Sequence, residues 1–86
     1  MSGGILVIGG QATINTTEGD TLNVRGGPGT SYQVVGRLPH GTRVTLVEGP
    51  RAGEGFTWWR VRAGSVEGWV VESVEDRGTR LQTLIP

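Results

Sequence analysis

Apolar and polar positions alternate along most of this 86-residue chain, in short runs that end at glycine or proline. A period of two is the signature of a half-buried β-strand, because successive side chains leave a pleated backbone on opposite sides. Residues 11–16 alternate, with Ala12 and Ile14 facing one way. After a turn at 17–20, residues 21–25 place Leu22 and Val24 inward and Asn23 and Arg25 outward. Residues 34–38 form a short strand, and 42–48 a clean one with Val44 and Leu46 on one face. Residues 56–62 put Trp59 and Val61 on one face and Trp58 and Arg60 on the other. A turn at 63–65 returns the chain along 66–71. The apolar run at 5–8 predicts a terminal strand, and 80–85 a last one with Leu81, Thr83 and Ile85 on one face. Between these lie predicted loops at 26–31 and 49–55, and a polar segment at 72–78 that reads as a helical turn. No stretch sustains a helical period and no repeat is present.

Strands of this length and spacing make a barrel or a sandwich. With so small an apolar set, a closed or nearly closed barrel is the economical form, since closure removes strand edges. The fold class is therefore all-β: a small barrel of about five core strands with extra strands at both ends. One domain is expected over residues 5–86, its core at 12–71, with 1–4 a disordered or expression-derived start. A chain this short buries about 60–65% of the surface it exposes unfolded, so the core is small. The 16 glycines are spread through turns and do not form a low-complexity tract, which argues for a folded chain.

Charge and chemistry narrow the function. Eight cations balance eight carboxylates, and all eight cations are arginine, which suits a GC-rich or thermophilic source. A nucleic-acid binder usually carries a basic excess. Arg25, Arg37, Arg43, Arg60 and Arg62 offer a stripe, but Glu48, Glu67 and Glu72 interrupt it. With no cysteine there is no disulfide, thiolate nucleophile or thiolate metal site. His40 lies in a Pro-His-Gly turn, where a lone histidine is usually solvated. The serines at 2, 31, 65 and 73 lack a nucleophile elbow. Glu72, Glu75 and Asp76 lack the oxygen spacing of a calcium loop and read as a solvated stretch. The glycine loop has neither lysine nor a following helix, so it is no phosphate loop. No enzyme activity, metal or cofactor is expected. No apolar run reaches the ~20 residues that span a bilayer, and 5–8 is too short for a signal-peptide core, so membrane insertion is not expected and the chain reads as a piece of a longer polypeptide.

Six blocks occur in order: Leu22-Asn23-Val24-Arg25, Gly27-Pro28-Gly29-Thr30-Ser31-Tyr32, Val35-Gly36, Gly41-Thr42-Arg43-Val44, Trp59-Arg60-Val61 and Gly68-Trp69-Val70. Together they resemble the bacterial Src-homology-3 (SH3) domain, from about residue 12 to 71. Gly26 departs from the pattern, where serine is common. The resemblance implies an SH3-like barrel and a non-catalytic role beside a catalytic or surface domain, often against peptidoglycan.

On this basis the chain is expected to be a binding module of a larger bacterial cell-envelope or secreted protein, holding an extended peptide or cell-wall glycopeptide in a shallow aromatic groove. Trp58, placed outward by alternation, is the leading contact residue. Tyr32 forms the opposite wall, Val71 the floor and Arg25 an edge, where it stacks on a tryptophan or meets a ligand carboxylate. Trp69 is a further candidate, weighed against packing beneath the 26–31 loop, and Asn23 is expected to bond that loop's backbone. The alternative is a structural or protein–protein module with no soluble ligand, packing on its parent chain or on a second copy. The apolar ends motivate it, since they can pair in trans as well as in cis. A monomer is expected.

Overall fold

The computed structural model describes residues 6–16, 19–76 and 78–86, and the expected start at 1–4 and the polar turn residues 17 and 18 lie outside them. Among the described residues, nine strands follow one another: β1 (Gln11–Ile14), β2 (Thr21–Arg25), β3 (Val34–Pro39), β4 (Arg43–Gly53), β5 (Phe56–Ala63), β6 (Val66–Val71), β7 (Ser73–Asp76), β8 (Thr79–Gln82) and β9 (Leu84–Ile85). Seven form one antiparallel sheet in the order β3-β2-β6-β5-β4-β1-β9, and β7 and β8 pair as a separate hairpin. The sheet curls into a half-barrel, so its concave face encloses a core of its own residues.

That core is the inward set expected from alternation: Ala12, Ile14, Val24, Val44, Leu46, Trp59, Val61 and Val70, joined by Leu38 and Leu84. Register explains the set. Ala12 pairs with Val44, Leu46 with Val61 and Trp59 with Val70, so apolar side chains of neighbouring strands meet on the same face. Where β2 meets β6 the ladder is a single register pair, Arg25 and Trp69. Gly68 lies beside it, and a Cβ there would stand 2.6 Å from the Arg25 carbonyl oxygen and 2.7 Å from a Val24 methyl. The absent side chain permits the close approach that curls the sheet.

The ends depart from expectation. Where a terminal strand was expected over 5–8, the described residues 6–8 form none. Residue 5 is outside the described set, and beyond it the Gly10 N–H donates to the Val7 carbonyl (3.0 Å), closing a turn through Gly9 at φ 85°. Gly9 and Gly10 then dock on β4, donating to and accepting from Leu46 (2.7 and 2.9 Å). Of residues 6–8, only Leu6 packs on the core; Val7 and Ile8 are exposed. Turn geometry at the glycine pair outweighed β-propensity in a run too short to pair alone.

The loop expected at 49–55 is mostly strand. β4 runs on to Gly53 with register shifts between Leu46 and Arg51, which absorb Gly49 and Pro50 before pairing resumes at Arg51 with Trp58. The helical turn expected at 72–78 is instead β7, closed on β8 through Gly78 at φ 80°. The strand expected at 80–85 is divided at Thr83. β8 joins the hairpin, whereas β9 pairs with β1 of the same chain, Ile14 opposite Leu84. Thr83 is buried and its hydroxyl donates to the Val71 carbonyl, so the backbone turns over there. Thr83 and Leu84 are both buried while Ile85 is exposed, which breaks the alternation.

Leu84 is 0% exposed although only Ile85 and Pro86 follow it in the given sequence. Leu84→Ala should therefore destabilise the fold by about 2–4 kcal/mol. Urea unfolding followed by tryptophan fluorescence measures this, and a loss below about 1 kcal/mol would show that β9 is not part of the cooperative core.

Candidate functional site

β5 carries adjacent tryptophans, and its pleat sends them to opposite faces. Trp59 enters the core as expected, and its indole N–H donates to a Glu72 carboxylate oxygen at 2.8 Å. Trp58 goes to the convex face, opposite Val71 of β6. The expectation that Trp58 stands exposed is overturned: it is 1% exposed. It forms a second small core with Trp69 and Val71, against which Leu22 and Val74 pack. Val74 comes from β7, the hairpin that replaced the expected helical turn, so a cover invisible to strand alternation hides the ring. The indole N–H is also used, donating to the Gly53 carbonyl at 2.9 Å.

A groove of about 250 Å³ lies over this second core. Trp58 and Val71 line its base, and Phe56 and Val74 one flank. Arg25, Asn23 and Thr30 line the other. Phe56 is 37% exposed and sits edge-on to Trp58, with ring centroids 6.3 Å apart and planes at 79°. Of the residues predicted from sequence, Arg25, Trp58 and Val71 meet in this groove. Trp69 does not line it; it is buried beside Trp58, opposite Arg25 in register. Tyr32 does not line it either. Its ring lies on the glycine loop, where a Cβ on Gly29 would stand 3.3 Å from it, and its carbonyl accepts from Arg25 Nη1 at 3.0 Å. The tyrosine fastens the loop and leaves the opposite wall to Phe56. Phe56 shares the parity of Trp58 and was legible from alternation; Val74 and Thr30 needed the hairpin and the loop path. Asn23 makes no side-chain hydrogen bond among the described residues, contrary to the expected loop contact, so its amide is available in the groove.

The loop at 26–31 is held from across the groove by Glu54, which occupies the tight turn between β4 and β5 at φ 53°. Its carboxylate accepts from the Thr30 N–H, the Thr30 hydroxyl (2.6 Å) and the Ser31 N–H (3.2 Å). Gly53 beside it lies so close to the Pro28 carbonyl that a Cβ would collide. No motif announced this clasp, because its partners are 23 and 24 residues apart.

Several other charges pair on the outer wall. Arg60 lies between Glu48 (3.5 Å) and Glu67 (2.6 Å), and Arg51 meets Glu48 at 2.8 Å, so acids interleave with the arginines on the outer wall. Nδ1 of His40 accepts from the Thr16 N–H at 3.1 Å, which makes it a tether between loops.

A small curled β-sheet module, with its groove on the convex face between a glycine loop and a hairpin tip, is the class that this geometry defines. Residues 20–75 match the family model described as bacterial SH3 domain, and the chain belongs to that family. Bacterial SH3 domains are non-catalytic modules. The chain is 34% identical over 62 residues to a putative N-acetylmuramoyl-L-alanine amidase, YrvJ, of Bacillus subtilis strain 168, a match covering 72% of this chain and 11% of that protein. It is 44% identical over 34 residues to the uncharacterized protein YraI of the same strain, covering 40% of this chain and 29% of that protein. The chain thus spans under a third of either relative. No solved structure matches it. Gly26, the departure from the family pattern, has room for a side chain: the nearest atom to an added Cβ is 3.7 Å away.

The hydrogen bond from the Thr30 hydroxyl, then that from the Thr30 N–H, holds the Glu54 carboxyl below the usual carboxylate range. A depressed folded-state pKa means that the clasp stabilises fully above the ordinary carboxylate pKa and is lost as pH falls through the lowered value. The protection factors of the Thr30 and Ser31 amides, measured by NMR hydrogen exchange against the intrinsic rate at each pH, should therefore fall as pH falls through that region. Glu54→Gln should show the low protection already at neutral pH and no further acid step. A step that persists in Glu54→Gln would assign the titration to another group.

Proposed function

We propose that this chain is a binding module of a larger bacterial cell-envelope or secreted protein, taking an extended peptide or cell-wall glycopeptide in the groove over Trp58. The observation that carries this is the composition of the groove: an apolar base and flank, Trp58, Val71 and Phe56, facing a cation and an amide, Arg25 and Asn23. Arg25 makes no ion pair among the described residues, and one carbonyl uses only part of its donor set. Apolar contact area supplies affinity, and the few polar groups fix the register of an extended backbone. The relative named as a putative N-acetylmuramoyl-L-alanine amidase supports a cell-wall setting. Of the predicted contacts, Arg25, Trp58 and Val71 stay in the proposed site with Phe56 added, while Tyr32 and Trp69 support it from the loop and from beneath. A groove this small should bind in roughly the μM–mM range, with useful retention coming from attached domains.

The alternative, a structural or protein–protein module packing on its parent chain or on a second copy, is less supported, since the ends that motivated it are bonded within the chain. β9 pairs with β1 in cis, and Gly9 and Gly10 are bonded to β4.

Retention on purified peptidoglycan tests the proposal. Trp58 is buried, so its truncation would confound binding with folding; Phe56→Ala and Arg25→Gln change the exposed Phe56 and the half-buried Arg25 instead. Phe56→Ala should lower retention about tenfold and Arg25→Gln about fivefold, with Arg43→Gln, outside the groove, unchanged. Retention equal in all three variants would move the site elsewhere, and no retention of the unsubstituted chain would remove the wall as ligand.

A further inference from the structure

A second cleft, about 700 Å³, opens on the far side of Phe56 and Val74, between the start of β5 and the β7–β8 hairpin. Gly55, Phe56 and Thr57 line one side, and Ser73, Val74, Glu75 and Arg80 the other. Because Phe56 and Val74 also flank the groove over Trp58, the two depressions share one apolar ridge. Half of the hairpin, β8, lies beyond the residues 20–75 that match the family model, so this cleft depends on a part of the chain that the model does not span.

The charges in the cleft are unequally spent. Arg80 donates from Nε to the Ser73 hydroxyl at 3.1 Å and lies 3.8 Å from a Glu72 oxygen. Glu75 is directly opposite Arg80 in the hairpin register, yet Arg80 turns to Ser73 and Glu72. Among the described residues no cation lies within ion-pair distance of the Glu75 carboxylate. On the other side of the ridge Arg25 likewise has no carboxylate partner among the described residues. The composite surface thus carries a free anion at one end and a free cation at the other, with an aromatic edge between.

We propose that this cleft is a second subsite, which takes the ammonium-bearing side chain of an extended peptide whose carboxylate meets Arg25. The inference rests on the peptide reading of the first groove and deepens it by naming the charges of the ligand. An ammonium on a flexible aliphatic stem lays its methylenes along Phe56 and Val74 and delivers its charge to Glu75. The opposite polarity of the two ends sets the direction in which the peptide lies, which is the use that charge complementarity serves best.

The test uses the full chain and an N-acetylated alanine pentapeptide bearing one lysine and a free C-terminal carboxylate, titrated by NMR. Acetylating the lysine side chain should weaken binding roughly fivefold to tenfold, and amidating the terminus by a similar factor. Glu75→Gln, at an exposed site that leaves the fold intact, should abolish the lysine discrimination while keeping the carboxylate discrimination. Arg25→Gln should do the reverse. Lysine discrimination unchanged in Glu75→Gln, or no binding of the peptide at millimolar concentration, overturns the subsite. Retention on peptidoglycan without lysine discrimination removes the subsite and leaves the first groove standing. Discrimination without retention on peptidoglycan keeps the subsite and removes the wall.

Discussion

Two adjacent tryptophans on one strand impose the constraint from which the rest of this structure follows. A pleated backbone sends Trp58 and Trp59 to opposite faces, and each ring is too large and apolar to leave in water without cost. Burying one such side chain stabilises by a few kcal/mol, a sizeable share of what a domain this small has. The half-barrel covers Trp59 by curling around it. Trp58 needs a second cover, and the chain supplies it with Val74 of the β7–β8 hairpin and Leu22 of β2. A single sheet with two apolar faces thus acquires a second small core, and the edge of that core is where the groove opens.

Glu72 joins the two halves of this solution. Its carboxylate takes the Trp59 indole proton. Its backbone N–H donates to Thr57, and its carbonyl accepts from Thr83 (2.9 Å) and Leu84 (3.4 Å). One residue thereby ends β6, starts the hairpin and receives the chain on its return. With the Thr83 hydroxyl on the Val71 carbonyl, the crossing leaves few backbone groups unpaired in a place with little access to water. Leu84 can then reach the main core from a segment that, by sequence alone, continues β8.

The functional surface follows from the same economy. On the outer wall Arg51 and Arg60 are matched by glutamates, so acids break the basic stripe there. Arg25 and Asn23 in the groove have no such partner among the described residues. The loop that borders them is rich in glycine, which permits the Tyr32 ring and the Gly53 backbone to approach it closely, and Glu54 restrains what glycine would otherwise leave free. Restraint of a binding loop before the ligand arrives reduces the ordering cost of association. This suits the binding module proposed here, whose contact area is small.

Strand alternation was sufficient for the inward sets of β1, β2, β4, β5 and β6, since a one-residue slip would turn each set away from the main core. The block order was sufficient for the family. It failed where pairing partners are distant or the pattern is polar. β7 and β8 form a solvated hairpin with few apolar residues to alternate, and β4 continues through Gly49 and Pro50 because β5 is there to pair with it. Parity correctly placed Trp58 on the outer face but could not show that the face is covered. For Tyr32 the loop path decided that the ring would serve the glycines and not the groove. The sequence by itself thus determined which side chains share a face, because that depends on a local period of two. Only the tertiary structure decided which of those faces meet water, because burial depends on what the rest of the chain lays over them.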